Sequence, residues 1–277
     1  MVVGLASFGV NRFLARTQQR VLSESIAIIE RTERVAQEAE LAASLAGRLR
    51  DAESAAAVAE TSSGLAERVA GIEADLDAMR RFLAQPAGPG SATVVGDLAT
   101  AMGRPVARRI KAGEALRAGR DRLAASGARL AAMISTEAEL ARLRITAGIW
   151  ELYALPGGRD PRPGLDRLAD ANFFAYERLA EMAEAVATLD RLAARIPVAK
   201  DAAELQRLGT DYAAALTLAR DRAGFMLSQA ATDHAQAELN VLAQGGALIA
   251  QRLAGLAAEA ELDSLALRLG RELDLLT

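Results

Sequence analysis

Apolar residues recur along this chain at intervals of three and four over long stretches. Val35, Ala39, Ala42, Leu45 and Leu49 form one stripe, preceded by Val21, Leu22, Ile26 and Ile29, with polar residues between them. An α-helix has about 3.6 residues per turn, so positions three and four apart share a face, and this pattern predicts one amphipathic helix from about Leu5 to Arg50. Asp51 and Ser54 are both good N-cap residues, able to accept hydrogen bonds from the orphan amides of a new first turn. Asp51 to Ser54 is therefore predicted as a tight turn. A second helix follows to about Phe82 through Leu65, Val69, Ile72, Leu76 and Met79.

The segment Gln85 to Ser91, Q-P-A-G-P-G-S, cannot continue a helix, because its prolines lack the amide donor and its glycines add conformational freedom. A third helix is predicted from Ala92 to Leu155, with Leu116, Leu123 and Leu130 on its core face and a kink or short interruption at Gly103-Arg104-Pro105. The run P-G-G-R-D-P-R-P-G, Pro156 to Gly164, ends it. A fourth helix covers about Leu165 to Arg195 and stops at Ile196-Pro197, and a fifth starts near Lys200. From there the chain reads as helix to Leu276, with a break between 209 and 230 for which Gly209-Thr210-Asp211 and Gly224 are the candidates.

Helices of this length do not fit one compact bundle. The expected fold is all-α and elongated, with two stacked antiparallel helical bundles sharing two long helices. Residues 1–106 with 240–277 would form a membrane-proximal bundle and 107–239 a membrane-distal one. With six helices both termini fall at the same end, and both are apolar, as expected if each continued into a membrane segment. The first ten residues, M-V-V-G-L-A-S-F-G-V, are too few to cross a bilayer alone, which takes roughly 20.

Composition sharpens this picture. Of the 277 residues, 51% are hydrophobic but only 4% aromatic, so alanine and leucine must do the packing, as in helical bundles. The net charge is −3, Lys occurs only at positions 111 and 200, and Arg alternates with Glu and Asp. That is a solvated helix surface rather than a nucleic-acid stripe. There is no Cys, hence no disulfide, thiolate ligand or thiol nucleophile.

His234 is the sole histidine, and D-H-A-Q lacks the following acid and downstream proline of a phospho-accepting histidine. One histidine supports neither a metal site nor a Ser/His/Asp triad. No G-x-x-x-x-G-K-[ST] loop occurs. No catalytic residue, cofactor or metal is expected.

Half of the aromatic residues cluster around one inter-helix loop: Trp150 and Tyr153 before it, Phe173, Phe174 and Tyr176 after it. They either plug the tip of an alanine-rich bundle or anchor a partner, since Trp, Tyr and Arg dominate interface hot spots. Trp150, Tyr153, Arg159, Asp160, Arg162, Phe173 and Tyr176 are the candidate partner-binding residues. Gly245 and Gly246 sit mid-helix, where each costs roughly 1 kcal/mol relative to Ala. They are candidates for close helix packing or for a hinge. Arg108, Arg109, Arg178, Arg220 and Arg222 are too evenly spread to make a carboxylate site.

The run E-R-V-A-Q-E-A-E-L-A-A-S-L-A-G-R-L-R-D-A-E-S, Glu33 to Ser54, returns through L-A-E-R-V-A-G-I-E-A-D-L, Leu65 to Leu76. This pair resembles the periplasmic sensor region of TorS-type hybrid histidine kinases, the trimethylamine-N-oxide sensors, and related helical bimodular sensor domains. Asp51-Ala52-Glu53-Ser54 would occupy the family's turn between the two helices. The resemblance implies a non-catalytic sensor fragment in the periplasmic portion of a bacterial inner-membrane receptor, flanked by transmembrane helices and homodimeric in the full-length histidine kinase. Its signal would arrive through a TorT-like periplasmic binding protein and pass as a displacement of the long helices. In chemoreceptor-type relatives the domain would instead bind a small organic acid directly.

Overall fold

A computed structural model describes the backbone of residues 2–82, 91–156 and 160–275, and side chains from residue 25 onward except at 82, 91 and 92. Residues 83–90 of the Pro/Gly break, Arg159 and Leu276 lie outside the described residues. The described chain is all-α, without strands. It has six helical runs: α1 (Val2–Asp51), α2 (Ala55–Phe82), α3 (Ser91–Tyr153), a run from Arg162, α6 (Ala202–Ala223) and a run from Gln229. The fourth run comprises α4 (Arg162–Arg167), a π-helical turn (Leu168–Phe173), α5 (Phe174–Arg195) and a short 3₁₀ turn (Ile196–Val198). The sixth comprises α7 (Gln229–Leu242) and α8 (Gly245–Asp274).

The chain divides into two compact units, Met1–Ile110 with Ala258–Thr277, and Lys111–Ala257. In the first unit the predicted stripe is the core. Val35, Ala39, Ala42 and Leu49 of α1 pack with Leu65, Val69 and Ile72 of α2, Leu98, Met102 and Val106 of α3, and Leu262, Leu269 and Leu273 of α8. The helix stops at Asp51 because its last carbonyls find another donor: the Arg109 guanidinium bonds the carbonyls of Arg50 and Ala52. Ser54 then caps α2 by accepting the Ala57 amide at 3.2 Å.

Two expectations change, and of the two candidates for the break before α7 the second holds. No interruption occurs at Gly103-Arg104-Pro105; α3 runs through Pro105, which is buried beside Met102 and Val106, so burial offsets the lost backbone bond. Gly209-Thr210-Asp211 is not a turn either, because Leu205, Leu208 and Tyr212 continue one buried face across it. The break falls at Gly224–Ser228, where the Ser228 hydroxyl accepts the Ala231 amide at 3.1 Å and starts α7.

The second unit is built from the C-terminal part of α3, α4 to α7 and the beginning of α8. Its core holds Leu123, Leu130 and Ile134 of α3, Leu179, Met182 and Leu189 of α5, Leu205, Leu208 and Tyr212 of α6, Leu239 and Leu242 of α7, and Leu248 of α8. Residues 240–257, expected in the other bundle, belong to this core because Leu242 and Leu248 pack into it. Gln229–Asp274 is long and apolar enough to cross a membrane by length and composition, yet its Leu239, Leu242, Leu248, Leu262 and Leu269 are core residues.

Candidate functional site

The candidate residues lie at one end of the second unit, where α3 meets α4. Gly148 sets the local geometry: a Cβ there would lie 2.9 Å from Leu168 Cδ1 and 3.8 Å from the Asn172 amide nitrogen, so any other residue would push the Leu168 tip of the π turn aside. In that turn the Phe174 amide reaches back five residues to the Ala169 carbonyl, and the extra residue shifts the facing of all that follow. Leu168 is buried at its start, and Leu179 and Met182 after it.

The aromatic residues are not a plug. Trp150 is 70% exposed and Tyr153 83%, while Phe173, Phe174 and Tyr176 are all exposed to a lesser degree. The reason is angular: Trp150 lies two residues past Gly148, about 200° around the helix, hence on the face turned away from α4. With Leu143, also exposed, Trp150 and Tyr153 make an apolar stripe on the solvent side of α3. Phe174 packs edge-on against Phe225 at 5.5 Å and carries the Arg178 guanidinium 4.6 Å above its ring. Asp160 and Arg162 are exposed at the start of α4, where the Arg162 amide donates to Asp160 Oδ1 at 3.0 Å.

The candidates therefore divide. Asp160 lines a groove on the opposite side of α3 from Trp150 and Tyr153. This groove, of about 630 Å³, is also lined by Arg144, Glu151, Arg167 and Asn172. Arg144, Glu151 and Arg167 form no ion pair with the described residues. Sequence reading missed it, although Arg144, Gly148 and Glu151 recur at intervals of four and three and so share one face.

The five arginines considered for an anion site are engaged elsewhere. Arg108 pairs with Glu261, Arg109 holds the end of α1, Arg178 and Arg222 both bond Glu181, and Arg220 reaches Asn240. Glu181 is held below its ordinary pKa by the hydrogen bond from Arg222 first and Arg178 second. Among the described residues no group of His, Asp and Glu is placed to hold a metal ion.

Gly245 and Gly246 are not equivalent. The helix is interrupted just before them, at Ala243-Gln244. A Cβ on Gly245 would overlap the Tyr212 ring and lie 2.8 Å from its hydroxyl, whereas a Cβ on Gly246 meets open space.

Two solved structures share this architecture. One is the TorS sensor domain in complex with TorT in the presence of TMAO: 14% identical, TM-score 0.77, covering 90% of this chain and 96% of that one. The chain has the fold of a TorS sensor domain. The other is the sensor domain of the V. parahaemolyticus histidine kinase sensor TorS: 12% identical, TM-score 0.68, covering 90% of this chain and 95% of that one. No family model and no curated relative matches the chain. At this identity the TorS fold is carried by the spacing of small and apolar residues rather than by particular side chains.

Proposed function

We propose that this chain is the extracytoplasmic sensor domain of a transmembrane (hybrid) histidine kinase, homodimeric in the full receptor and detecting its signal through a periplasmic binding protein. The observation that carries this reading is the correspondence with TorS sensor domains over nine-tenths of both chains, one of them bound to TorT. In this reading the unit of residues 1–110 with 258–277 lies next to the inner membrane and that of 111–257 lies away from it, facing the periplasm. The domain has no catalytic role; it needs only to let partner binding favour one of two helix packings by a few kcal/mol. Displacement of the long helices α3 and α8 then carries the difference to the membrane.

The exposed stripe of Leu143, Trp150 and Tyr153 is the docking face in this reading; Arg162, Phe173 and Tyr176 are exposed on the elements that follow. Large aromatics that contribute nothing to the core are costly to leave in water unless a partner covers them. The test is capture from periplasmic extract of the source organism by the purified chain. The expected result is a protein of the periplasmic binding-protein class, identified by mass spectrometry and lost with Trp150→Ala. A wild-type chain that captures no such protein overturns the reading.

A second reading is favoured by the groove between α3 and α4. Arg144 and Arg167 line it without ion-pair partners among the described residues, as a small organic acid bound directly would require. Calorimetry against a panel of organic acids and N-oxides separates the two: micromolar heat from one acid, abolished by Arg144→Ala, replaces the binding-protein reading with direct chemoreceptor-type sensing.

A further inference from the structure

The interruption between α7 and α8 adjoins the weak helix formers Gly245 and Gly246, but Ala243 and Gln244, where it falls, are good ones. What fixes its position comes from α6. The Tyr212 hydroxyl, on a side chain only 3% exposed, donates to the Leu242 carbonyl at 2.8 Å. In an unbroken α-helix that carbonyl accepts the amide four residues on, which is Gly246. Here the backbone tightens instead to a spacing of three: the Gln244 amide bonds the Val241 carbonyl at 3.0 Å and the Ala247 amide bonds the Gln244 carbonyl at 2.9 Å. The Tyr212 ring occupies the space that a side chain on residue 245 would take, and Gly245 leaves it free. One buried hydroxyl and one missing methyl thus hold open a break of two residues.

We infer that Tyr212 is the latch of a two-state helix: engaged on Leu242 it keeps α7 and α8 separate, and withdrawn it lets them join into one continuous helix. Both states satisfy the Leu242 carbonyl, one through the phenol and the other through the Gly246 amide; the withdrawn phenol must find a new acceptor or water, which keeps the engaged state the resting one. Tyr212 lies on a helix whose neighbour, α5, leads back to the π turn and the α3 end. Movement there reaches the latch through packed side chains, among them Leu189 of α5 and Leu208 of α6 in the same core. As a signalling device the latch rests on the sensor reading above; as a two-state helix it does not.

The absence of cysteine makes the test direct. Spin labels on Ala237→Cys and Ala254→Cys, both exposed, report across the break in the 277-residue chain. Seventeen residues of unbroken helix span about 25 Å. Tyr212→Phe removes only the donor and should move the distance distribution toward that value while slowing exchange of the Gly246 amide about tenfold or more. Gly246→Ala, whose Cβ meets open space, raises helix propensity at the break without touching Tyr212 and should shift both readouts the same way. If Tyr212→Phe does not fold, Gly246→Ala decides alone. Unchanged distances and unchanged Gly246 exchange in the folded variants overturn the latch. That result leaves the sensor reading intact if the chain still captures a binding protein, whereas a shifting helix in a chain that captures none overturns the sensor reading alone.

Discussion

Ser126 and Glu238 are joined across α3 and α7 by one hydroxyl that faces two acceptors. The fully buried Ser126 Oγ donates toward the Glu238 carboxylate at 2.5 Å and lies 3.1 Å from the Glu238 carbonyl, while Arg129 bonds both carboxylate oxygens at 2.7 and 2.8 Å. Ser126→Ala should lower the unfolding free energy by about 1–2 kcal/mol, the cost of leaving a carbonyl and a carboxylate without their buried donor. Urea denaturation of the two proteins measures it, and equal midpoints would remove Ser126 from the account of this contact.

Acid should loosen the same unit. The Glu238 carboxyl is held below its ordinary 4.5 by Arg129 first and by Ser126 as well, and Glu181 is held below it by Arg222 and Arg178. A carboxylate depressed in the folded state contributes stability that is present above 4.5 and lost as pH falls through the lower folded value. Stability should therefore decline below about pH 4.5, and Glu238→Gln with Glu181→Gln should flatten that decline. An acid limb of the same slope in the double variant would place the sensitivity elsewhere.

Base should act through Tyr212. Burial pushes its phenol up to about 12 from an ordinary 10.0. The stability it contributes is fully present below pH 10.0 and is lost as pH rises through about 12. An absorbance titration should show one late phenolate step coinciding with unfolding. That step is absent from Tyr212→Phe.

How much of this was legible follows from where each signal lies. The turn at Asp51 to Ser54 was readable because its cause, a capping serine between two apolar stripes, is local; only Arg109, more than fifty residues on, was hidden. The core face of α3 was readable from Leu116, Leu123 and Leu130. The break at Ala243-Gln244 was legible only through the adjacent Gly245 and Gly246, since the hydroxyl bonded there belongs to a residue thirty positions earlier. The exposure of Trp150 was one of the two readings the sequence left open. Composition marks tryptophan as a core filler, and only the seating of α4 on the Gly148 face decides that Trp150 turns outward.

That exposure makes Trp150 a clean test of the docking face. Its removal takes nothing from the core, so Trp150→Ala should change unfolding free energy by no more than about 0.5 kcal/mol. Affinity for the captured binding protein should fall by ~30-fold or more, the effect of losing a central aromatic anchor. Leu130→Ala, fully buried in the same helix, should do the reverse: it should cost about 2–5 kcal/mol of stability and leave the affinity of the still-folded chain nearly unchanged. Equal affinity for wild type and Trp150→Ala would move the partner off this stripe.

The two adjacent glycines should respond in opposite directions. Gly246→Ala adds a methyl to open space and removes freedom from the unfolded chain, so it should stabilise the protein by about 0.5–1 kcal/mol. Gly245→Ala forces a methyl against the Tyr212 ring, and that ring is walled in by the core formed with Leu208, Leu242 and Leu248. It can yield only by breaking its bond to the Leu242 carbonyl or by displacing α8, so the substitution should cost about 1–3 kcal/mol, as overpacked cores do. Thermal unfolding of the two single variants measures the difference. Placed in Tyr212→Ala, where the ring is gone, Gly245→Ala should lose most of its penalty, and a penalty that persists there would show that the close approach of Tyr212 is not what requires glycine at 245.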